Sequence, residues 1–180
     1  ISPGFTSNIS SYTVSVSNGT TSISITPTVT SPNATVTVNG VSATSGSSFG
    51  PINLSVGQNV ITVVVTAQDG STFSYTVTVT RGLSADSSLA SLTSSAGTLS
   101  PTFTSGTSQY SLSVANNVTS LTLTPTVAGS HATITVNGSG VASGSASPSI
   151  ALATGSNTVI VVVTAQDGTT TTTYTLTITR

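Results

Sequence analysis

Residues 63–70 read Val-Val-Val-Thr-Ala-Gln-Asp-Gly, and residues 161–168 repeat this stretch without a change. Each copy is followed by a run in which apolar and hydroxyl residues alternate, at residues 75–79 and 174–178. An apolar strand, an Asp-Gly turn and a second strand with a period of two residues predict a β-hairpin. Because Arg81 and Arg180 close the two copies, the hairpin also marks the end of each repeated unit.

The rest of the chain repeats in the same register. Tyr12 matches Tyr110, and the Val-Asn-Gly sequence at Val38 returns at Val136. Self-similarity of this length predicts two tandem domains, each with its own core. Alternating segments separated by turns predict an all-β fold with six strands in each unit, arranged as an antiparallel Ig-like or cadherin-like β-sandwich. The expected domains are residues 1–82 and 83–180.

Residues 83–99 begin the second unit, and apart from Leu99, which aligns with Ile1, they have no counterpart in the first copy. They contain Leu89, Leu92 and Leu99 and predict a leading strand of the second sandwich. The first unit is therefore expected to lack its leading strand within this chain. A sandwich without that strand has an unpaired edge and an uncovered part of its core. We expect the strand to come from a preceding segment or from a neighbouring molecule.

The leucine-rich pattern from Leu89 to Phe103, followed by Tyr110, by Val-Asn-Gly at 136–138 and by Val-Thr-Ala-Gln-Asp-Gly at 163–168, resembles the bacterial cadherin-like β-sandwich domain. The resemblance covers the second copy entirely and the first copy apart from its leading strand. It implies tandem domains on secreted or cell-surface proteins, and it implies no enzymatic activity for these domains. This chain departs from the family pattern because serine and threonine stand at solvent positions where charged residues are commoner.

The composition excludes several classes of partner. Charged residues make up 3% of the chain, and its only cations are two arginines. This is too few for binding to nucleic acid phosphates or to an anionic membrane surface. No window approaches the roughly 20 apolar residues of a membrane-spanning helix. A surface with so little charge repulsion favours association, so we expect self-association with identical or tandem copies, outside the cell.

Residues that could carry chemistry are few. Asp69 and Asp167 are candidates for calcium binding, but calcium needs several oxygen ligands and these aspartates suit the turns on their own. His131 could be placed in a catalytic triad, but no nucleophile motif accompanies it, and we expect a histidine in a loop or at a sheet edge. We expect no enzymatic activity, no metal and no cofactor.

Two sets of residues are candidates for contacts with other molecules or domains. Arg81 and Arg180 end the last strands and are expected to pair with Asp86, to bind carbonyls of a neighbouring unit, or to remain solvated. Phe49 and Phe73 have no aromatic counterparts in the other copy, which makes them candidates for a surface contact. The candidate contacts between units or subunits are Leu89, Leu92, Leu99, Arg81, Arg180 and Asp86.

Three functions fit the sequence. The first is a structural segment of an extracellular fibre, filament or stalk, whose subunits are joined by β-strand complementation. The second is an adhesive module on the cell surface that binds a glycan or a protein. The third is a spacer in a larger secreted enzyme. The repetition, the missing strand and the lack of charge together favour the structural function.

Overall fold

Strands form where valine, isoleucine, threonine and tyrosine alternate, because such side chains suit a pleated, half-buried surface. The computed structural model describes all 180 residues and contains sixteen strands and no helix. It accordingly has no helix with the length and apolarity of a membrane span. The chain forms two compact units, Ile1–Leu83 and Ser84–Arg180. The expected all-β fold of two sandwiches is confirmed.

The first unit has two layers. The order of the larger sheet is β1-β7-β6-β3-β4, and β2 pairs with β5 in the smaller one. Apolar side chains from both layers meet in one core. The strands are β1 (Ser11–Val16), β2 (Ser22–Ile25), β3 (Thr35–Val38), β4 (Val41–Ala43), β5 (Phe49–Asn53), β6 (Gly57–Thr66) and β7 (Thr72–Arg81).

The second unit repeats this plan and adds a strand. Its larger sheet has the order β13-β12-β15-β16-β9, and its smaller layer contains the pairs β10-β14 and β11-β8. The leading strand expected within residues 83–99 is β8. The strands are β8 (Leu89–Ser94), β9 (Gln109–Ser113), β10 (Ser120–Leu121), β11 (Leu123–Val127), β12 (Thr133–Val136), β13 (Ser139–Val141), β14 (Ile150–Ala151), β15 (Ser156–Thr164) and β16 (Thr171–Thr179).

Two details differ from the expected six antiparallel strands. In each unit the first strand of the larger sheet runs parallel to the last one, as in the pairing of Tyr12 with Val77 and of Tyr110 with Leu176. Parallel neighbours need a long connection, and here all the intervening strands provide it. The second difference is an extra short strand after each Asn-Gly turn, because the chain there pairs back onto its neighbour.

Tight hairpin turns form at the two Asn-Gly sequences. Asn39 and Gly40 have φ angles of 50° and 79°, and Asn137 and Gly138 have φ angles of 47° and 82°. Two successive positive φ angles are the requirement of the tight hairpin turn that matches strand twist, and Asn-Gly satisfies it best. These turns set the register of β3 against β4 and of β12 against β13.

Candidate functional site

The two units differ at the position of β8. In the second unit β8 pairs antiparallel with β11, and its Leu89 and Leu92 are 0% and 2% exposed. In the first unit no strand takes this position. Residues 26–29, which correspond to 124–127 of β11, have no strand partner and no strand conformation. The first unit therefore has an open strand edge where the second unit has a filled one.

Because this edge has no strand beside it, part of the first core is uncovered. Fifteen buried residues form the core of the second unit, whereas eight form that of the first. Several side chains that are only half-buried in the first unit have fully buried counterparts in the second. These pairs are Ile23 and Leu121, Ile25 and Leu123, Pro27 and Pro125, Val65 and Val163, and Tyr75 and Tyr174.

An apolar groove lies along the open edge. It has a volume of about 470 Å³. Its lining includes Ile25, Pro27, Val29, Val63, Val65 and Tyr75, all from the first unit. An apolar groove beside an unpaired strand edge is suited to the addition of a strand. We therefore take the groove as the candidate functional site.

A row of aromatic rings lies beside the groove. Phe5 stacks on Tyr12 with their ring centroids 5.6 Å apart, and it also lies 5.7 Å from Tyr75. Tyr75 in turn contacts Phe73 at 4.9 Å. Phe5 is 62% exposed and Phe73 is 43% exposed. Phe73 thus lies partly exposed on the surface of the first unit.

The two matched tyrosines Tyr174 and Tyr75 have different hydrogen-bond partners. The hydroxyl of Tyr174 accepts a buried hydrogen bond of 2.9 Å from the backbone N–H of Leu89, so it holds β8 in place. The hydroxyl of Tyr75 donates to the backbone oxygen of Ser7 at 3.0 Å, in an exposed position. A phenol hydroxyl donates one hydrogen bond and also accepts others. Tyr75 therefore retains its capacity to accept the N–H of a strand placed in the groove.

The family model of the cadherin-like beta sandwich domain matches residues 1–82 and 89–180. The chain belongs to this family. Cadherin-like domains are typically extracellular and in general have no enzymatic activity. Both sandwiches of the chain, the open one and the filled one, fall within the matched residues.

Among known proteins, a protein of Evansella cellulosilytica named "Putative membrane protein" is 38% identical to this chain over 81 residues. That alignment covers 45% of the chain and 12% of the relative, so the chain corresponds to a small part of it. Among solved structures, the extracellular cadherin domains 3–6 of protocadherin gamma B2 align with 95% of the chain and 46% of that protein, at 11% identity and a TM-score of 0.42. A glycan-binding protein of Bacteroides ovatus, SGBP-B, solved with a mixed-linkage heptasaccharide, aligns with 98% of the chain and 68% of that protein, at 13% identity and a TM-score of 0.32.

Each arginine at the end of a cadherin-like unit binds carbonyls of its own unit. Arg81 donates to the backbone oxygens of Asn18 at 2.7 Å and Leu54 at 2.8 Å. Arg180 donates in the same way to Asn116 and Leu152. Both guanidinium groups therefore donate to backbone oxygens of their own unit. The reason is that carbonyls at the ends of strands and turns need donors, and a guanidinium supplies several in a fixed geometry.

Asp69, Asp86 and Asp167 stabilise turns. Asp69 accepts hydrogen bonds from the N–H and hydroxyl of Ser71 at 2.9 and 2.7 Å, and Asp86 binds Ser88 in the same way. Asp167 accepts from the backbone of Thr169 and from both donors of Thr170. No group of three or more histidine, cysteine, aspartate or glutamate side chains lies together. Through the hydrogen bonds to serine and threonine, the three carboxylates act as turn residues.

These turn hydrogen bonds give a testable pH dependence. Hydrogen bonds from the side chain and backbone of Thr170 lower the pKa of Asp167 from its ordinary value of 3.8 to about 2. Because the folded-state pKa is depressed, the stabilisation is present above pH 3.8 and is lost as the pH falls towards about 2. Titration of these carboxylates should leave the urea midpoint constant above about pH 5. It should lower the midpoint only below about pH 4.

The control for this prediction is Asp167→Asn, which keeps an acceptor oxygen but does not titrate. The variant should reduce the acid slope of the urea midpoint and also lower the midpoint near neutral pH, because an amide has one acceptor oxygen and accepts hydrogen bonds more weakly than a carboxylate. Asp69 and Asp86 contribute in the same direction, since hydrogen bonds from Ser71 and Ser88 lower their pKa values. A midpoint that falls between pH 7 and 5 equally in the wild type and the variant would contradict the assignment to these carboxylates.

Three further candidate residues from the sequence are Phe49, Leu99 and His131. Phe49 pairs with Ile25 and packs half-buried against the first core, and its counterpart Ser147 is buried in the second unit. Leu99 packs against the second core. His131 is exposed in a turn with a φ angle of 64°. The sequence did not indicate that Phe49 faces inwards, because the short strand β5 has no clear alternation.

Proposed function

We propose that this chain is a structural segment of an extracellular fibre or stalk, in which a strand from a neighbouring subunit completes the first sandwich. The observation that carries the proposal is the contrast between the two units. The same fold is closed by β8 in the second unit and open along Ile25–Val29 in the first. Addition of a strand to an open edge joins molecules by backbone hydrogen bonds and buried side chains together.

The mode of connection suits a fibre. A strand that fills the groove covers apolar side chains such as Val65 and Tyr75, which remain half-buried without it. Burial of apolar surface at about 25 cal/mol per Å² gives such a junction stability without charged contacts. This agrees with a chain in which charged residues are 3% of the total. In this proposal the subunits are copies of the same protein, and they lie outside the cell.

Recognition of a glycan is a second candidate function. The exposed rings of Phe5 and Phe73 favour it, since sugar rings stack on exposed aromatic faces. The rings adjoin the same groove, so a donated strand and a glycan would compete there. We favour the structural function because the groove lies at the position that β8 occupies in the second unit.

The experiment that tests the structural function is immunogold electron microscopy on the cells that produce the protein. Antibodies raised against residues 1–180 should place gold along extracellular filaments or stalks, and pre-immune serum should leave them unlabelled. Label on the cell surface without any filament would favour the adhesive or spacer function instead. Label confined to the cytoplasm would contradict both the location and the function.

A further inference from the structure

We propose that the outer edge of β8 is a self-association site, where β8 of a second copy of this chain pairs with it in antiparallel orientation. This edge belongs to the second unit, so the contact is separate from the groove of the first unit. It is also independent of the proposed fibre function, because it joins two copies symmetrically and does not extend a filament. On its inner edge β8 pairs with β11, and on its outer edge no strand pairs with it.

Pro125 shows which residues of β8 bond to β11. Its backbone oxygen accepts a hydrogen bond from the N–H of Gly144 at 2.8 Å, and a proline has no N–H to donate. Pro125 lies opposite Leu92. In an antiparallel ladder, pairs that exchange hydrogen bonds alternate with pairs that do not. Leu92 and Pro125 therefore form a pair without hydrogen bonds, and the backbone polar groups of Leu92 point to the outer edge.

The outer edge of β8 is open. By the same alternation Ser91 and Thr93 bond to β11, whereas Ser94 points its backbone groups outwards as Leu92 does. No backbone hydrogen bond outside the ladder involves Leu92 or Ser94. A cleft of about 450 Å³ lies beside these two residues, with Leu99 also in its lining. The edge thus presents unpaired backbone groups beside space for another strand.

The other edges of the second unit are protected. At β9, the N–H of Ser100 donates to the oxygen of Ser111 at 2.7 Å, and the N–H of Ser111 donates back at 2.8 Å. The edge strands β13 and β14 have only three and two residues. Covered and short edges prevent pairing with other chains. β8 has six residues without a charge or a proline, and its register is regular from Ser91 to Ser94.

A second copy of β8 fits this edge because the strand is complementary to itself. Antiparallel pairing about a two-fold axis places Leu92 opposite Leu92 of the second copy. Ser91 then lies opposite Thr93 of the second copy, in a pair without hydrogen bonds, where side chains approach most closely. Hydroxyl side chains interact favourably across strands. No charged residue of β8 opposes the contact, and the net charge of −1 adds little repulsion between copies.

Sedimentation equilibrium of the intact chain tests the association. We expect the weight-average mass to rise with protein concentration, from the mass of one chain towards the mass of two. The dimer should be weak, because the regular part of the strand is short and the bulge at Ala90 interrupts it. The mass of one chain at every concentration would overturn the proposal.

Three double variants assign the association to β8. Ser91→Lys with Thr93→Lys places like charges opposite each other twice in the symmetric dimer and should weaken association at least about tenfold. Ser91→Glu with Thr93→Lys places opposite charges there and should restore association to within about threefold of the wild type. Thr171→Lys with Thr173→Lys adds the same charge to exposed threonines of β16 and should change association by less than about threefold. Equal weakening by the two lysine pairs, or no restoration by the glutamate variant, would overturn the assignment.

Hydrogen exchange of the wild type at low and high concentration gives a readout without any substitution. The amides of Leu92 and Ser94 should gain at least about fivefold protection as the dimer forms. Those of Ser91 and Thr93 already bond to β11 and should change less. Protection that does not alternate in this way would overturn the pairing, and protection confined to the groove of the first unit would overturn the site. Immunogold labelling tests the fibre function separately, so the two failures are distinguishable.

Discussion

Replacement of Leu89 by alanine is expected to lower the free energy of unfolding of the second unit by about 2–5 kcal/mol, the range for buried leucines truncated in a core. Leu89 is 0% exposed and belongs to the cluster that contains Leu92 and Tyr174. The surrounding side chains cannot collapse fully onto the space, so the loss of apolar burial is joined by the effect of a cavity. The pairing of β8 with β11 would also be weakened, because Leu92 is the only other fully buried side chain of this strand.

The matched control is Leu83→Ala, because Leu83 is 50% exposed and should change stability by less than about 0.5 kcal/mol. Urea unfolding followed by hydrogen exchange with mass spectrometry assigns each change to one unit. The first unit should be unaffected by Leu89→Ala, since Leu89 packs only in the second core. An equal loss in both units would show that the two sandwiches unfold together.

The hairpins could be predicted from sequence because their signals are local. The stretch at 63–70 supplies an apolar strand and its turn, and β6 and β7 pair as expected. Their ladder extends from the turn to the pair of Gly57 with Arg81. Asn39 and Gly40 likewise determine their own φ angles. In each case a few adjacent residues define both the geometry and the register. The all-β fold and its division into two sandwiches follow from such local signals repeated twice.

The parallel pairs and the arginine contacts could not be predicted, because they join distant residues. β1 and β7 are separated by most of the first unit, and no local pattern states which strand borders the other. Arg81 binds the oxygens of Asn18 and Leu54, which are carbonyl acceptors that any residue could provide. A sequence records the donor in such a contact and leaves the acceptor unspecified.

The candidate site was predicted in part. Comparison of the two copies indicated that the first lacks a strand like Leu89–Ser94, since an alignment shows what one copy has and the other does not. The lining of the groove required the structure. Val65 and Tyr75 have the same sequence pattern as their buried counterparts, and only the packing shows that they are left uncovered.

Replacement of Tyr174 by phenylalanine is expected to destabilise the second unit by about 1–3 kcal/mol, because the buried N–H of Leu89 would lose its acceptor. The matched change Tyr75→Phe removes only an exposed hydrogen bond to Ser7 and should cost less than about 1 kcal/mol in the first unit. Denaturant unfolding with hydrogen exchange resolved by unit compares the two variants in the same assay. Equal effects would contradict the view that only Tyr174 anchors a strand.

The difference between the two tyrosine variants should vanish once the groove is filled. With a synthetic peptide of residues 88–99 bound there, the hydroxyl of Tyr75 acquires the task of Tyr174, because both then accept the N–H of a leading leucine. Tyr75→Phe should therefore weaken peptide binding by at least about fivefold, the lower end of the effect of an unsatisfied buried N–H. A phenylalanine retains the ring packing, so a loss of this size would come from the hydroxyl alone. Binding that is unchanged by Tyr75→Phe would mean that the donor strand lies in the groove without this anchor, and in a different register from β8.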